Sequence, residues 1–268
     1  MKKVVVAWVL TLALLLSVVG VAGAITDGEP DGDGHPFVGL ALFYDENGEY
    51  MWRCSGTLLS ESVFLTAGHC TYSTTKARLL FDADLSEIEY PYPDCGPYTC
   101  YEGDTFVHPE YDDNAFYIHD TGIVVLDEPV QGISTFGTLP ELDILDGLMP
   151  REGQKAYFTA VGYGLQASFP DGADWKTQAD RTRMVAYPYL LQLNAPGMTG
   201  DFSMLLSNNH TSGGTCYGDS GGPNFLGDSN VVAGITSYGM NVACAGTGGV
   251  FRTDRENVQD FINPFLAE

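Results

Sequence analysis

The chain has 268 residues, 35 of them Asp or Glu against 12 Lys or Arg, for a formal charge of −23. That length allows one large domain or two modest ones. So acidic a surface repels phosphate backbones and anionic lipid, which argues against nucleic acid or a charged membrane as a partner.

The chain opens Met1-Lys2-Lys3, runs apolar from Val4 to Val21, and then carries the small residues Ala22, Gly23 and Ala24. A basic start, a greasy middle and an A-x-A-like end read as a secretory signal over residues 1–24; a membrane anchor is the second reading of so long an apolar run. Its removal takes away two lysines and leaves 244 residues with a formal charge of −25. That remainder can bury roughly 70–75% of its unfolded surface.

Short apolar or alternating runs then recur at Phe37–Phe43, Thr57–Thr66, Ala77–Phe81, Gly122–Leu126, Ala156–Val161, Val231–Ser237 and Gly249–Thr253, each bounded by turn-forming residues. Many short strands with frequent turns predict an all-β fold of antiparallel sandwich or barrel type. A polar, turn-rich stretch from Gln131 to Gly147 can link two halves. At the end, Val258, Phe261, Ile262 and Phe265 fall at i, i+3, i+4 and i+7, predicting one amphipathic helix with Thr253 or Asp254 as its N-cap. Six cysteines in a secreted chain imply three disulfides, and spacing alone leaves 15 pairings open. The sequon Asn209-His210-Thr211 marks a surface loop in a host that glycosylates.

The densest chemical signal is "TSGGTCYGDSGGP", residues 211–223. Glycine is costly in backbone entropy, so this crowding around Ser220 predicts unusual dihedrals or close backbone approach. "GDSGG" formally fits the G-x-S-x-G elbow of α/β-hydrolases, but in that fold the histidine follows the serine. Here His35, His69, His108, His119 and His210 all precede it, and strands do not alternate with helices. A nucleophilic serine needs a base and the base an orienting carboxylate. His69, in "FLTAGHC", has small neighbours that leave its ring accessible, and Asp120 opens the apolar run "DTGIVVL", where a lone carboxylate is costly without a partner. Asp112, Asp113 and Asp127 are its rivals.

With these residues in the order His69, Asp120, Ser220, the chain resembles the chymotrypsin/trypsin family of serine proteases over nearly all of its mature length. "CSGTLLSESVFLTAGHC", "DTGIVVL", "GDSGGP", "AVGYG", "SYG" and "GGVFRTD" each resemble a family segment, in family order. Gly68 stands where the family usually has alanine. The resemblance implies two antiparallel six-stranded β-barrels with a C-terminal α-helix: residues 25–138 with His69 and Asp120, and residues 139–268 with Ser220. It implies Ser220 as nucleophile, His69 as base and Asp120 as its holder, with the amides of Gly218 and Ser220 as the oxyanion hole. Its disulfides would be Cys54–Cys70, Cys216–Cys244 and, by remainder, Cys95–Cys100. The first closes a loop of about 17 residues, worth about 3 kcal/mol in the chain-entropy model.

The resemblance also pairs an N-terminal ammonium with the aspartate before the nucleophile, here Asp219. "ITDG", residues 25–28, resembles the family's mature start and directly follows Ala24, so signal removal itself is expected to free Ile25. Trypsin-like members carry an aspartate six residues before the serine, and that position here is Gly214. With Thr215, Gly239 and Gly249 as neighbours and Phe251 behind, the pocket is expected to be uncharged. It should take a large apolar or aromatic residue before the scissile bond, not Arg or Lys. A glutamate-preferring pocket built on Thr236 is the open alternative. Ser237, Tyr238 and Gly239 would pair with an extended substrate.

The expectation is a secreted, extracellular serine endopeptidase acting on protein or peptide, monomeric and needing no cofactor. A non-catalytic binding protein on the same fold and an esterase are the rivals. Asp82, Asp84, Glu87 and Glu89 lie near where some family members bind calcium, but a solvated loop is the preferred reading. The remaining histidines show no zinc spacing and are assigned to surface or structure.

Overall fold

The computed structural model describes residues 25–148, 155–166, 180–195 and 199–267. The expected signal segment, residues 1–24, lies outside them. Among the described residues no helix is long and apolar enough to cross a membrane.

The protein is mostly β. Its first half forms a closed antiparallel barrel from β2 (Val38–Tyr44), β3 (Tyr50–Leu58), β4 (Val63–Thr66), β5 (Lys76–Leu80), β6 (Cys100–Val107) and β7 (Gly122–Leu126). Their order around the barrel is β2-β3-β4-β7-β6-β5. Every residue of β2, VGLALFY, is buried. A strand covered on both faces reads as a continuous apolar run rather than an alternating one.

The second half is a curled antiparallel sheet of eight strands. They are β1 (Glu29–Pro30), β8 (Phe158–Gly162), β9 (Met184–Ala186), β10 (Leu190–Ala195), β11 (Gly200–Asn208), β12 (Pro223–Leu226), β13 (Val232–Gly239) and β14 (Gly246–Arg252). The order is β1-β9-β8-β12-β13-β14-β11-β10, so β1, early in the chain, completes the far edge of the second sheet.

Thr57–Thr66, expected as one strand, is the hairpin of β3 and β4, with Thr57 opposite Leu65. The Ser60 hydroxyl accepts the amides of Ser62 (3.3 Å) and Val63 (3.1 Å) and turns the chain between them. The short strands β1, β9 and β12, of two to four residues, were not expected, and neither were the longer β6, β10 and β11. Their partly exposed, polar-interrupted sequences, such as CYEGDTFV in β6, carry too weak an alternation.

Two helices matter here: a single turn, α1 (Gly68–Thr71), and the C-terminal α2 (Glu256–Leu266). Val258 and Ile262 of α2 are buried, while Phe261 and Phe265 are partly buried against the core. Phe265 meets Phe106 of β6 at 5.0 Å, so the last element of the chain packs on the first barrel. The expected N-cap is displaced: Arg255 precedes α2 and no side chain caps it. Asp254 is fully buried and is spent instead on the Arg252 guanidinium (2.7 Å) and the Leu145 amide (3.0 Å).

Arg183, almost fully buried, ties the two halves together. It pairs with Asp31 (2.9 Å) and donates to the carbonyls of Phe81 (2.8 Å) and Gly32 (2.6 Å). A buried pair with its remaining donors satisfied tolerates the loss of neither partner. The cysteines pair as Cys54–Cys70, Cys95–Cys100 and Cys216–Cys244.

Candidate active site

His69 sits in α1, immediately after β4, and Asp120 sits just ahead of β7, the strand that pairs with β4. Strand pairing therefore brings together two residues 51 apart in sequence. Residue 68 lies against the Asp120 strand: a Cβ there would stand 2.9 Å from the Thr121 amide nitrogen, which explains the small residue. Asp120 is fully buried. It accepts the His69 backbone amide (2.8 Å), the His69 ring Nδ1 (3.0 Å) and the Ser237 hydroxyl (2.5 Å).

A carboxylate only accepts, so Nδ1 carries the hydrogen and Nε2 is left with the lone pair. Burial by itself would depress the His69 pKa. The Asp120 charge and hydrogen bond, with a further contribution from Asp113, outweigh it and hold the ring above the ordinary 6.5. Of the rival acids, Asp113 is thus a distant charge. Asp112 instead accepts the Asn114 amide in its own turn, and Asp127 contacts Lys76 at 3.4 Å.

Ser220 lies in the loop between β11 and β12. Gly218 has φ +97° and Gly221 has φ +75°, conformations that glycine adopts without penalty. At Gly221 a Cβ would come within 2.1 Å of the Thr66 hydroxyl, so first-barrel backbone and side chains press directly on the loop. This close approach accounts for the glycine crowding. Internal bonds join the Asp219 amide to the Cys216 carbonyl (3.1 Å), Gly222 to Asp219 (2.8 Å) and Gly221 to Thr236 (2.8 Å). The amides of Gly218 and Ser220, by contrast, donate to no acceptor among the described residues. Two free N–H groups flanking a serine form a ready site for a developing negative oxygen.

Ser220, Gly218 and His69 line one cavity of about 610 Å³, together with Trp52, Arg53 and Tyr111. No hydrogen bond joins the Ser220 hydroxyl to the His69 ring in this structure. Such contacts are commonly long in substrate-free sites and tighten when substrate docks.

An adjoining cavity of about 470 Å³ also reaches Ser220. Thr215, Ser237, Tyr238 and Gly239 line it, as does Thr236. Gly214 and Gly249 do not. A Cβ on Gly214 would meet the Asn208 side chain at 2.3 Å, and one on Gly249 would meet the Tyr238 ring at 2.3 Å, so larger neighbours stand between them and the cavity. Phe251 is fully buried behind. Asn208 and Thr247 line the cavity but escaped the sequence reading. Both lie on strands whose pairing, β11 with β14, cannot be read from local pattern. Among the described residues that line it, none is charged.

Ile25 is fully buried against Ala160, Met184 and Ala186, with φ +58°. That region is a genuine outlier for a β-branched residue. Thr26 is fastened by its hydroxyl to Asn208 (2.7 Å) and by its carbonyl to the Gly214 amide (3.0 Å). Asp219 is fully buried and accepts the amides of Gly164 (2.7 Å) and Cys216 (2.9 Å). Burial pushes its pKa up to about 7; those two amides and the Arg53 charge offset only part of the rise.

Asp82, Asp84, Glu87 and Glu89 bring no three carboxylates to one point; the Asp84 carboxylate accepts the Ser86 amide (2.9 Å). Glu110 lies near His108 and His119, but those two rings stack at 4.9 Å and are engaged with Asn257 of α2, a tie between helix and barrel.

A family model described as Trypsin matches residues 30–262. Brachyurin from Leptuca pugilator is 30% identical over 213 residues, covering 76% of this chain and 81% of the relative. Venom serine protease Bi-VSP from Bombus ignitus is 27% identical over 230 residues, 81% of this chain; the match spans 61% of that longer protein. Among solved structures, an HL collagenase superposes with a TM-score of 0.69 at 16% identity, covering 91% of this chain and 99% of the other. A human heparin binding protein superposes with a TM-score of 0.64 at 18% identity, covering 91% and 97%. Both structural likenesses speak for the fold alone.

Proposed function

The chain belongs to the trypsin family of serine proteases, and from that premise we propose that it is a secreted endopeptidase whose catalytic residues are Ser220, His69 and Asp120. The observation that carries this reading is the convergence of the buried Asp120 on His69 Nδ1, beside a serine flanked by two free amides. The division of labour follows the family's Ser-His-Asp triad. Ser220 Oγ attacks the scissile carbonyl while His69 Nε2 takes its proton. Asp120 stabilises the imidazolium that forms. The carbonyl oxygen becomes an oxyanion and receives the Gly218 and Ser220 amides, each worth about 2.7–4 kcal/mol of transition-state stabilisation. His69 returns the proton to the leaving amine, and an acyl-enzyme remains on Ser220. Water then attacks with His69 again as base. This chemistry calls on no metal or cofactor, and a monomer contains all of it.

The uncharged cavity beside Ser220 supports cleavage after a large apolar or aromatic residue. A buried Arg or Lys head would lack a partner there. Profiling a peptide library tests this, with Ser220→Ala as the control. Arg or Lys is expected to be disfavoured by at least about 100-fold in kcat/KM. A strong preference for Arg or Lys would refute the pocket assignment, and no cleavage at all would favour a binding protein.

Cleavage after Ala24 would free the Ile25 ammonium for Asp219. The strained φ of Ile25 supports this, because φ is no longer constrained once the preceding peptide bond is cut. While residues precede Ile25, Asp219 holds its proton up to about pH 7, against an ordinary 3.8. The folded state then binds that proton more tightly than the unfolded chain. Stability therefore falls as pH rises from the ordinary value through about 7 and stays lower above it. An ammonium partner would lower the Asp219 pKa and remove this loss. The chain beginning at Ile25 is accordingly expected to melt higher than the uncleaved chain near pH 8, with a smaller gap near pH 5. Equal gaps at both, or active secreted enzyme with another first residue, would refute the pairing.

A further inference from the structure

We propose that Ser55 is a positioning residue, whose hydroxyl holds the Gly218 carbonyl so that the Gly218 amide stays aimed at the oxyanion. This rests on the reading of Ser220 and its flanking amides given above. Ser55 is a fully buried residue of β3, in the first barrel; its carbonyl accepts the Thr66 hydroxyl there (2.9 Å), while its amide and hydroxyl make three contacts that cross to the second half of the chain. Its amide donates to the Ser220 carbonyl (2.8 Å). Its hydroxyl donates to the Gly218 carbonyl (2.9 Å) and accepts the Tyr163 amide (2.9 Å). A hydroxyl has a single proton. Because an N–H already points at Oγ, that proton goes to Gly218.

The peptide unit between Gly218 and Asp219 is thereby gripped at both ends, its oxygen by Ser55 and its N–H by the Cys216 carbonyl (3.1 Å). Gly218 has no Cβ to restrict its dihedrals, so hydrogen bonds rather than sterics must hold it at φ +97°. Holding this unit fixes one of the two peptide planes joined at the Gly218 Cα and so narrows the range over which the Gly218 amide can swing.

Arg53 extends the brace. It lies two residues earlier on β3, on the same face as Ser55. Its Nη1 donates to the Tyr163 carbonyl (2.9 Å) and stands 3.3 Å from where a Gly218 Cβ would be. Both backbone polar groups of Tyr163 are thus held from β3, and the next amide, Gly164, reaches Asp219 (2.7 Å). The oxyanion loop is seated on β3 through the Tyr163–Gly164 segment as well as directly.

Ser55→Ala keeps the backbone amide and removes only the hydroxyl. With kcat counted per site titrated by a fluorophosphonate, it is expected to lower kcat about 10- to 100-fold, less than the loss of an oxyanion donor itself. KM should stay within about twofold, and affinity for a peptide boronate should fall by the same factor as kcat. Ser55→Thr, which keeps the hydroxyl, is expected to recover most of the rate. Thr253→Val, which deletes a buried hydroxyl bonded to the Val232 carbonyl away from the site, is expected to lower the melting temperature without changing kcat. Unchanged kcat and boronate affinity in Ser55→Ala would overturn the proposal, as would a rise in KM alone or an equal loss of kcat in Thr253→Val. If the unmutated chain neither cleaves peptides nor reacts with the fluorophosphonate, the reading of the site itself fails, and this inference with it.

Discussion

Ser220→Ala is expected to lower kcat for peptide cleavage by about 10⁶-fold while leaving KM for a good substrate within a few-fold. The substitution removes one oxygen. It leaves the cavity beside residue 220 intact, and it leaves the loop's shape intact, because that shape is set by backbone bonds among Cys216, Asp219, Gly221, Gly222 and Thr236. Binding should therefore survive while covalent chemistry does not. The two free amides also survive, so a residual rate of about 10³–10⁴ over the uncatalysed reaction should remain. Steady-state kinetics on one peptide substrate decides the matter. A loss of less than about tenfold would mean that another group is the nucleophile.

Asp120→Asn is expected to lower kcat at neutral pH by about 10⁴-fold, a magnitude carried over from the family's triad. The asparagine keeps one oxygen for the His69 backbone amide, now at 2.8 Å, so the turn should hold. It brings an NH₂ toward Nδ1, however, and a donor there favours the tautomer with its hydrogen on Nε2, where the base must be free. The pH profile should move too. In the native site His69 must be neutral to accept the serine proton, and Asp120 holds its pKa above 6.5. Activity therefore falls as pH drops through that raised value. Without the carboxylate charge, burial is opposed only by the smaller Asp113 contribution, and the acid limb should shift to lower pH. A variant with native rate, or an acid limb that moves up, would contradict the role given to Asp120.

The chemistry was more legible in the sequence than the architecture. The segments around His69, Asp120 and Ser220 are short and dense in glycine or in small residues, because backbone from the other half of the molecule presses on them. That pressure leaves a local mark: Gly221 is glycine because Thr66 stands where its side chain would be. Strand identity was clear in a long run buried on both faces, as in β2, and was lost where exposed and buried residues mix, as in β6, or where the strand spans only three or four residues, as in β9 and β12. The cavity lining was read only in part. Asn208 and Thr247 reach it through the β11–β14 pairing, and Tyr238 covers Gly249 across a register shift between β13 and β14, neither of which has a local signature. Ser55 left no signal for a related reason. Its neighbour Cys54 explains the segment, and the value of the hydroxyl depends on two carbonyl and amide groups more than 100 residues away.

The most direct measurement is covalent labelling of the chain beginning at Ile25 with a fluorophosphonate, followed by mass spectrometry of its peptides. A serine hydroxyl beside a neutral imidazole, with two waiting amides, predicts a single adduct, on Ser220, whose rate of formation falls in Asp120→Asn. A folded chain that stays unlabelled, or one labelled at a different hydroxyl, would contradict the account.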